Sequence, residues 1–154
     1  MQPVLLESTL PDETAMAHFA AKIAPILSTG DTLLLEGDIG AGKSAFARAL
    51  IRARLGRQED VPSPTFTLVQ TYEAPDGDIW HCDLYRLSHP DEAFELGLED
   101  AFETAICLIE WPDRLGNAAP QSALRLSFLA GDSAHHVTVA GSAAWAKRLR
   151  AMND

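Results

Sequence analysis

At 154 residues, 47% hydrophobic and 22% charged, the chain is expected to form a single domain over 1–154 with one substantial core. A net charge of −10 argues against autonomous nucleic-acid binding, which draws most of its affinity from a basic face set against phosphate. No apolar run is long enough for a membrane span, no secretory signal opens the chain, and Cys82 and Cys107 are too few for a disulfide scaffold, so a cytoplasmic setting is expected.

Apolar residues at Met16, Phe19, Ala20, Ile23, Ile26 and Leu27 recur every three or four positions and predict a helix from about Asp12 to Leu27, its end kinked or shortened by Pro25. Gly30-Asp31 is a turn, and Thr32 to Glu36 is a compact apolar strand of the kind covered on both faces. After a glycine-rich stretch, Lys43 to Leu55 reads as a helix closed by Gly56. Two prolines keep Val61 to Thr65 out of regular pairing. Phe66 to Glu73 and Ile79 to Tyr85 are β-like and flank the turn at Pro75 to Asp78, which predicts a hairpin. A polar, weakly helical stretch from Pro90 to Glu103 leads to a second buried strand, Ala105 to Glu110, ended by Pro112. Leu124, Leu126 and Phe128, then Val137 and Val139, alternate as strands, and Ala143 to Met152 closes the chain as a helix. Buried strands interleaved with helices predict an α/β layered fold. The basic residues Arg48, Arg52, Arg54 and Arg57, and Lys147, Arg148 and Arg150, fall where helix ends favour cations.

The stretch Gly37-Asp38-Ile39-Gly40-Ala41-Gly42-Lys43-Ser44 matches G-x-x-x-x-G-K-[ST], the Walker A phosphate-binding loop, and lies between a buried strand and a helix, where such a loop must lie. Glycines let the backbone curl so that several N–H groups converge on phosphate oxygens, and the following helix turns its positive end to the same point. Lys43 is placed to reach the β and γ phosphates, and the Ser44 hydroxyl to ligate Mg²⁺. A P-loop NTPase-like sheet with flanking helices is the expected fold, with Asp38 through Ala45 holding ATP.

Magnesium chemistry needs an acidic residue near the end of a neighbouring strand. Glu110, closing the second buried strand, is placed for that role, although a strand-end carboxylate can also simply face water. His81 and Asp83 share one face of their strand while Cys82 points away. They read either as a surface pair or, for Asp83, as a carboxylate that orients an attacking water. Thr65 is either a switch-like hydroxyl that senses the γ-phosphate or a turn threonine. Arg86 either meets phosphate or is solvated, and Trp111 either covers the site or packs. His135 and His136 are expected at the surface.

In order along the chain, Gly37 to Ser44, Ser63-Pro64-Thr65-Phe66, His81-Cys82-Asp83-Leu84-Tyr85-Arg86-Leu87, Leu96-Gly97-Leu98-Glu99-Asp100 and Ile109-Glu110-Trp111-Pro112 together resemble the TsaE family over roughly residues 10 to 130. The resemblance implies an ATPase required for threonylcarbamoyladenosine in ANN-decoding tRNAs. It implies docking, dependent on ATP, to the TsaB and TsaD proteins, and hydrolysis that resets their complex. By the same resemblance Lys43 and Ser44 hold nucleotide and Mg²⁺, Asp83 and Glu110 are the acidic residues of hydrolysis, Thr65 is the switch-like threonine, and Trp111 is the family tryptophan after the acidic strand end. Ser44 stands where most relatives carry threonine, and either hydroxyl can ligate the metal. From Leu124 onward the match is loose, with His135-His136 where relatives often show arginine.

A small-molecule P-loop kinase is the alternative. Such a kinase usually needs an arginine-bearing lid, whereas arginines after the loop are scattered at 54, 57, 86, 114 and 125. With no internal arginine finger evident, a Mg-dependent ATPase that is weak in isolation is expected.

Overall fold

The computed structural model describes residues 3–56, 60–62, 64 and 67–152. In chain order the elements are β1 (Val4–Leu10), α1 (Glu13–Ile23) with a 3-10 turn at Ala24–Ile26, β2 (Thr32–Glu36), α2 (Lys43–Leu55), β3 (Val69–Tyr72), β4 (Ile79–Asp83), α3 (Asp91–Glu95), α4 (Leu98–Thr104), β5 (Ile106–Glu110), a 3-10 segment (Pro112–Ala118), β6 (Leu124–Ala130), β7 (His135–Ala140) and α5 (Ala143–Ala151). The strands form one seven-stranded sheet in the order β1-β7-β6-β2-β5-β4-β3. Strands β6, β2, β5 and β4 run parallel, and antiparallel partners flank them on both sides.

Side-chain alternation along β2 sorts the sheet into two cores. Leu33 and Leu35 pack into the cluster that holds Phe19 of α1, Phe46 and Leu50 of α2, and Trp145 of α5. Leu34 enters the opposite cluster with Leu84, Leu98, Ile109 and Leu115. A strand buried on both faces reads as a continuous apolar run, which is why Thr32 to Glu36 carries no polar alternation. Three rings fasten the loop-bearing helix to its surroundings. Phe46 lies 5.7 Å from Phe19 and 5.5 Å from Phe128, centroid to centroid, with the planes tilted by 50° in each pair.

Local chemistry sets the boundaries. The Asp12 carboxylate accepts from the Ala15 amide at 2.8 Å and caps α1. Pro25 turns the expected tail of that helix into the 3-10 turn, and the carbonyls of Ala24 at its start and Leu27 just past its end accept from the Arg54 guanidinium. The weakly helical stretch divides into α3 and α4 at Gly97, which adopts φ +88°. Strand β4 stops at Asp83, two residues short of the expected Tyr85, because Leu84 starts a turn closed by the Leu87 amide on the Leu84 carbonyl. Its hairpin partner β3 is confined to Val69–Tyr72, and Phe66 at the start of the expected strand lies outside the described residues. Strand β1 is an element the sequence pattern did not reveal. No helix among the described residues is long and apolar enough to cross a membrane.

Candidate functional site

The parallel strands β2, β4 and β5 end along one edge of the sheet, and the chemistry gathers there. Register pairs Asp83 of β4 with Glu110 of β5, and Glu110 with Leu35 of β2, one residue before the strand gives way to the glycine loop. Ligands of parallel α/β sheets bind outside these carboxyl ends. A cleft of about 510 Å³ occupies the position, lined by Asp38 to Gly40 and Gly42 to Ala45 from the loop and helix start, and by Arg48, Asp83, Tyr85, Arg86, Glu110, Trp111 and His135. Gly37 and Ala41 of the loop are missing from that lining, and Ala41 is buried in the core beneath.

The loop owes its shape to two close approaches. Gly37 has φ +141°, and a Cβ there would lie 2.5 Å from the Phe128 carbonyl oxygen. Gly42 has φ +114° and caps α2, and its missing Cβ would meet His135 Nδ1 at 2.8 Å and Met16 Cε at 2.9 Å. Only glycine fits either place without displacing a neighbour.

Lys43 is buried at the floor. Its ammonium donates to the Gly37 carbonyl and, at 3.1 Å, to the Asp38 carbonyl, and lies 4.0 Å from the centre of the Trp111 ring. Burial lowers its pKa from the ordinary lysine value, against the opposing pull of Glu110, Asp83 and Asp38. Trp111 adopts φ +60° and ψ +54°, a left-handed conformation uncommon outside glycine. That turn brings its indole over Lys43, and Tyr85 packs on it at 4.9 Å between centroids.

Glu110 is almost wholly buried and bridges two partners. Its Oε1 accepts from the Ser44 hydroxyl at 3.0 Å, and its Oε2 lies 2.6 Å from His81 Nε2. An ionised carboxylate only accepts, so His81 donates from Nε2. Nδ1 of the same ring is buried and has no hydrogen-bond partner among the described residues. Asp83, also buried, accepts from the Tyr85 amide at 3.1 Å. His81 and Asp83 therefore do share a face, and the pair is internal rather than on the surface. The hydroxyl and carboxylate paired at Ser44 and Glu110 are hard oxygen donors of the kind a magnesium ion takes. No cluster of three or more His, Cys, Asp or Glu able to hold a metal occurs among the described residues, so further ligands would come from phosphate and water.

Most of the residues singled out from sequence meet in this one cleft. Arg86 and Trp111 line it, and His81 stands behind Glu110. Thr65 lies outside the described residues. Two residues were read otherwise. Arg48, grouped with the helix-end cations, lines the cleft. His135, expected at the surface, is half-buried beside Gly42 because β7 places it on the face it shares with Val137 and Val139, which is the face covered by α1 and α2. The two-residue period from His135 to Val139 was the signal available for that assignment.

Residues 10–137 match the family described as "Threonylcarbamoyl adenosine biosynthesis protein TsaE". The chain is 41% identical over 120 residues to the tRNA threonylcarbamoyladenosine biosynthesis protein TsaE of Rickettsia bellii, covering 78% of this chain and 83% of that one. It is 37% identical over 138 residues to the protein of the same name from Haemophilus influenzae, covering 86% and 87%. In three dimensions it resembles Bacillus subtilis YdiB, with a TM-score of 0.82 and 27% identity over 99% of this chain and 96% of that one. With the family match, the identity to its relatives and the whole-chain fold in agreement, the chain belongs to the TsaE family of threonylcarbamoyladenosine biosynthesis proteins.

Proposed function

We propose that the protein binds ATP with Mg²⁺ and hydrolyses it slowly on its own, as an accessory ATPase in the threonylcarbamoyladenosine modification of tRNA. The observation that carries this reading is the chain of contacts at the cleft floor, in which Ser44 is joined to Glu110 and Glu110 to His81, beside Lys43 and Asp83. Lys43 would exchange its two loop carbonyls for phosphate oxygens, a stronger charge-assisted pairing. Ser44 and Glu110 would hold the magnesium, which neutralises phosphate charge when bound. Asp83 would orient the attacking water, with its own position fixed by the Tyr85 amide. Trp111 and Tyr85 would shield the phosphates from bulk solvent.

Slow turnover is expected because the arginines that line the cleft among the described residues are Arg48, on α2, and Arg86, in the turn after β4, and a finger supplied by a partner would add to them. Docking to TsaB and TsaD would complete the site, and the net charge of −10 leaves tRNA contact to those partners. The test is ATP turnover by the purified chain, alone and with TsaB and TsaD. Stimulation by the partners that disappears in Glu110→Ala supports the reading. Turnover unchanged by the partners, together with phosphoryl transfer to a small acceptor, would replace it with a kinase.

A further inference from the structure

We infer that Arg48 reads the terminal phosphate of the bound nucleotide, giving ATP a contact that ADP does not make. The inference rests on the reading of the cleft as a nucleotide site and deepens it, assigning a role to a cation that lies outside the loop motif. Helix geometry supplies the direction. Residues four apart on an α-helix fall on one stripe, so the three residues that open α2 head three different stripes. Lys43 leads to Ala47, which is buried in the core, and Ala45 leads to Ala49. Ser44 leads to Arg48, and the Ser44 hydroxyl donates to Glu110 at 3.0 Å. Arg48 therefore belongs to the side of the helix that carries the hydroxyl and carboxylate suited to magnesium.

The Arg48 Cα stands one turn beyond Ser44, about 6 Å along the helix axis. Long helical side chains lean back toward the N-terminus and cover the turn before their own. An arginine so directed carries its guanidinium back toward the loop, and Arg48 does line the cleft, together with Asp83 and Glu110 from the neighbouring strand ends. It is half-buried, and among the described residues it takes part in no hydrogen bond, ion pair or ring contact. Arg54, further along the same helix, is by contrast held by the carbonyls of Ala24 and Leu27. A half-buried guanidinium turned into a cleft without a partner is completed by an anion, and its planar fork suits two phosphate oxygens at once. On the Ser44 side of the helix, where hydrolysis is placed, the phosphate within its reach is the outermost one. ADP ends one phosphate short of that position.

The experiment compares ADP with the non-hydrolysable β,γ-imido analogue of ATP, which adds the terminal phosphate. Affinities of both, with Mg²⁺, are measured by calorimetry for the unmodified chain and for Arg48→Ala. The expected result is analogue binding weakened about tenfold or more, as for one lost charge-assisted contact, with ADP binding unchanged. A loss for ADP as large as that for the analogue would overturn the inference and make Arg48 a general source of positive field. Weakening of neither would overturn it too. Should Arg48→Ala fail to fold, Arg48→Gln, which keeps most of the side chain and loses its charge, carries the same comparison with the same outcomes. An unmodified chain that binds neither nucleotide sinks the nucleotide reading itself, whereas binding of both that is indifferent to Arg48 sinks only this extension.

Discussion

Lys43 holds a charge in surroundings that disfavour it, kept in place by two carbonyls of its own loop and an aromatic face. Removing it deletes a charge-assisted contact to phosphate of about 1.5–3 kcal/mol, so Lys43→Ala should weaken ATP binding roughly 10- to 150-fold in a direct titration. Glu110→Gln keeps the size of the side chain and loses its charge. It should spare ATP affinity more than turnover, which is expected to fall roughly 100- to 1,000-fold in a single-turnover assay. Equal loss of both would assign Glu110 to structure. His81→Ala leaves Glu110 Oε2 buried without its partner and should cost about 1–3 kcal/mol in urea unfolding. At this scale the sequence was most informative about residues whose roles are fixed by type and spacing, as with Lys43 and Ser44. It was silent on the 2.6 Å contact between His81 and Glu110, because that pairing depends on the register of β4 against β5, which no local pattern encodes.

The loop and its helix are held by the elements around them. Phe46 anchors α2 between Phe19 and Phe128, so Phe46→Ala should cost about 3–5 kcal/mol of stability in denaturant titration. Loss of nucleotide affinity beyond that expected from unfolding would show that the ring also sets the helix position. Gly37→Ala brings a methyl group against the backbone carbonyl of Phe128, in a φ region that side chains avoid. Helix α2 and strands β2 and β5 were legible because apolar periodicity and a closing glycine or proline agree there. Strand β1 was not. Its run Val-Leu-Leu-Glu-Ser-Thr-Leu lacks clean alternation, and its burial is irregular because it pairs on one side only, through a register shift between Val4 and Leu6.

Across the whole molecule the two thiols report on packing. Cys82 and Cys107 are buried on adjacent strands, and burial pushes the Cys107 pKa up to about 12 and that of Cys82 well above its ordinary value. The folded state thus favours the protonated thiols. Their contribution to stability is complete below about pH 9, the ordinary value, and is lost as pH rises toward about 12. The urea midpoint should fall over that interval, and fall less in Cys107→Ala. An identical fall in the variant would remove Cys107 from the explanation. The fold class was legible from buried strands interleaved with helices, whereas the order β1-β7-β6-β2-β5-β4-β3 was not, because partners distant in sequence leave no local trace. One such pairing sets a timetable for biosynthesis. Among the described residues β1 bonds only to β7, and Thr9 meets His136 across 127 positions of chain. At about 5–20 residues per second, a ribosome needs roughly 6–25 s to make the partner that β1 awaits. Throughout that interval the amides and carbonyls of residues 4–10 are open to any other strand edge or to a chaperone, and this side of the sheet closes only once residues 135–140 have been made.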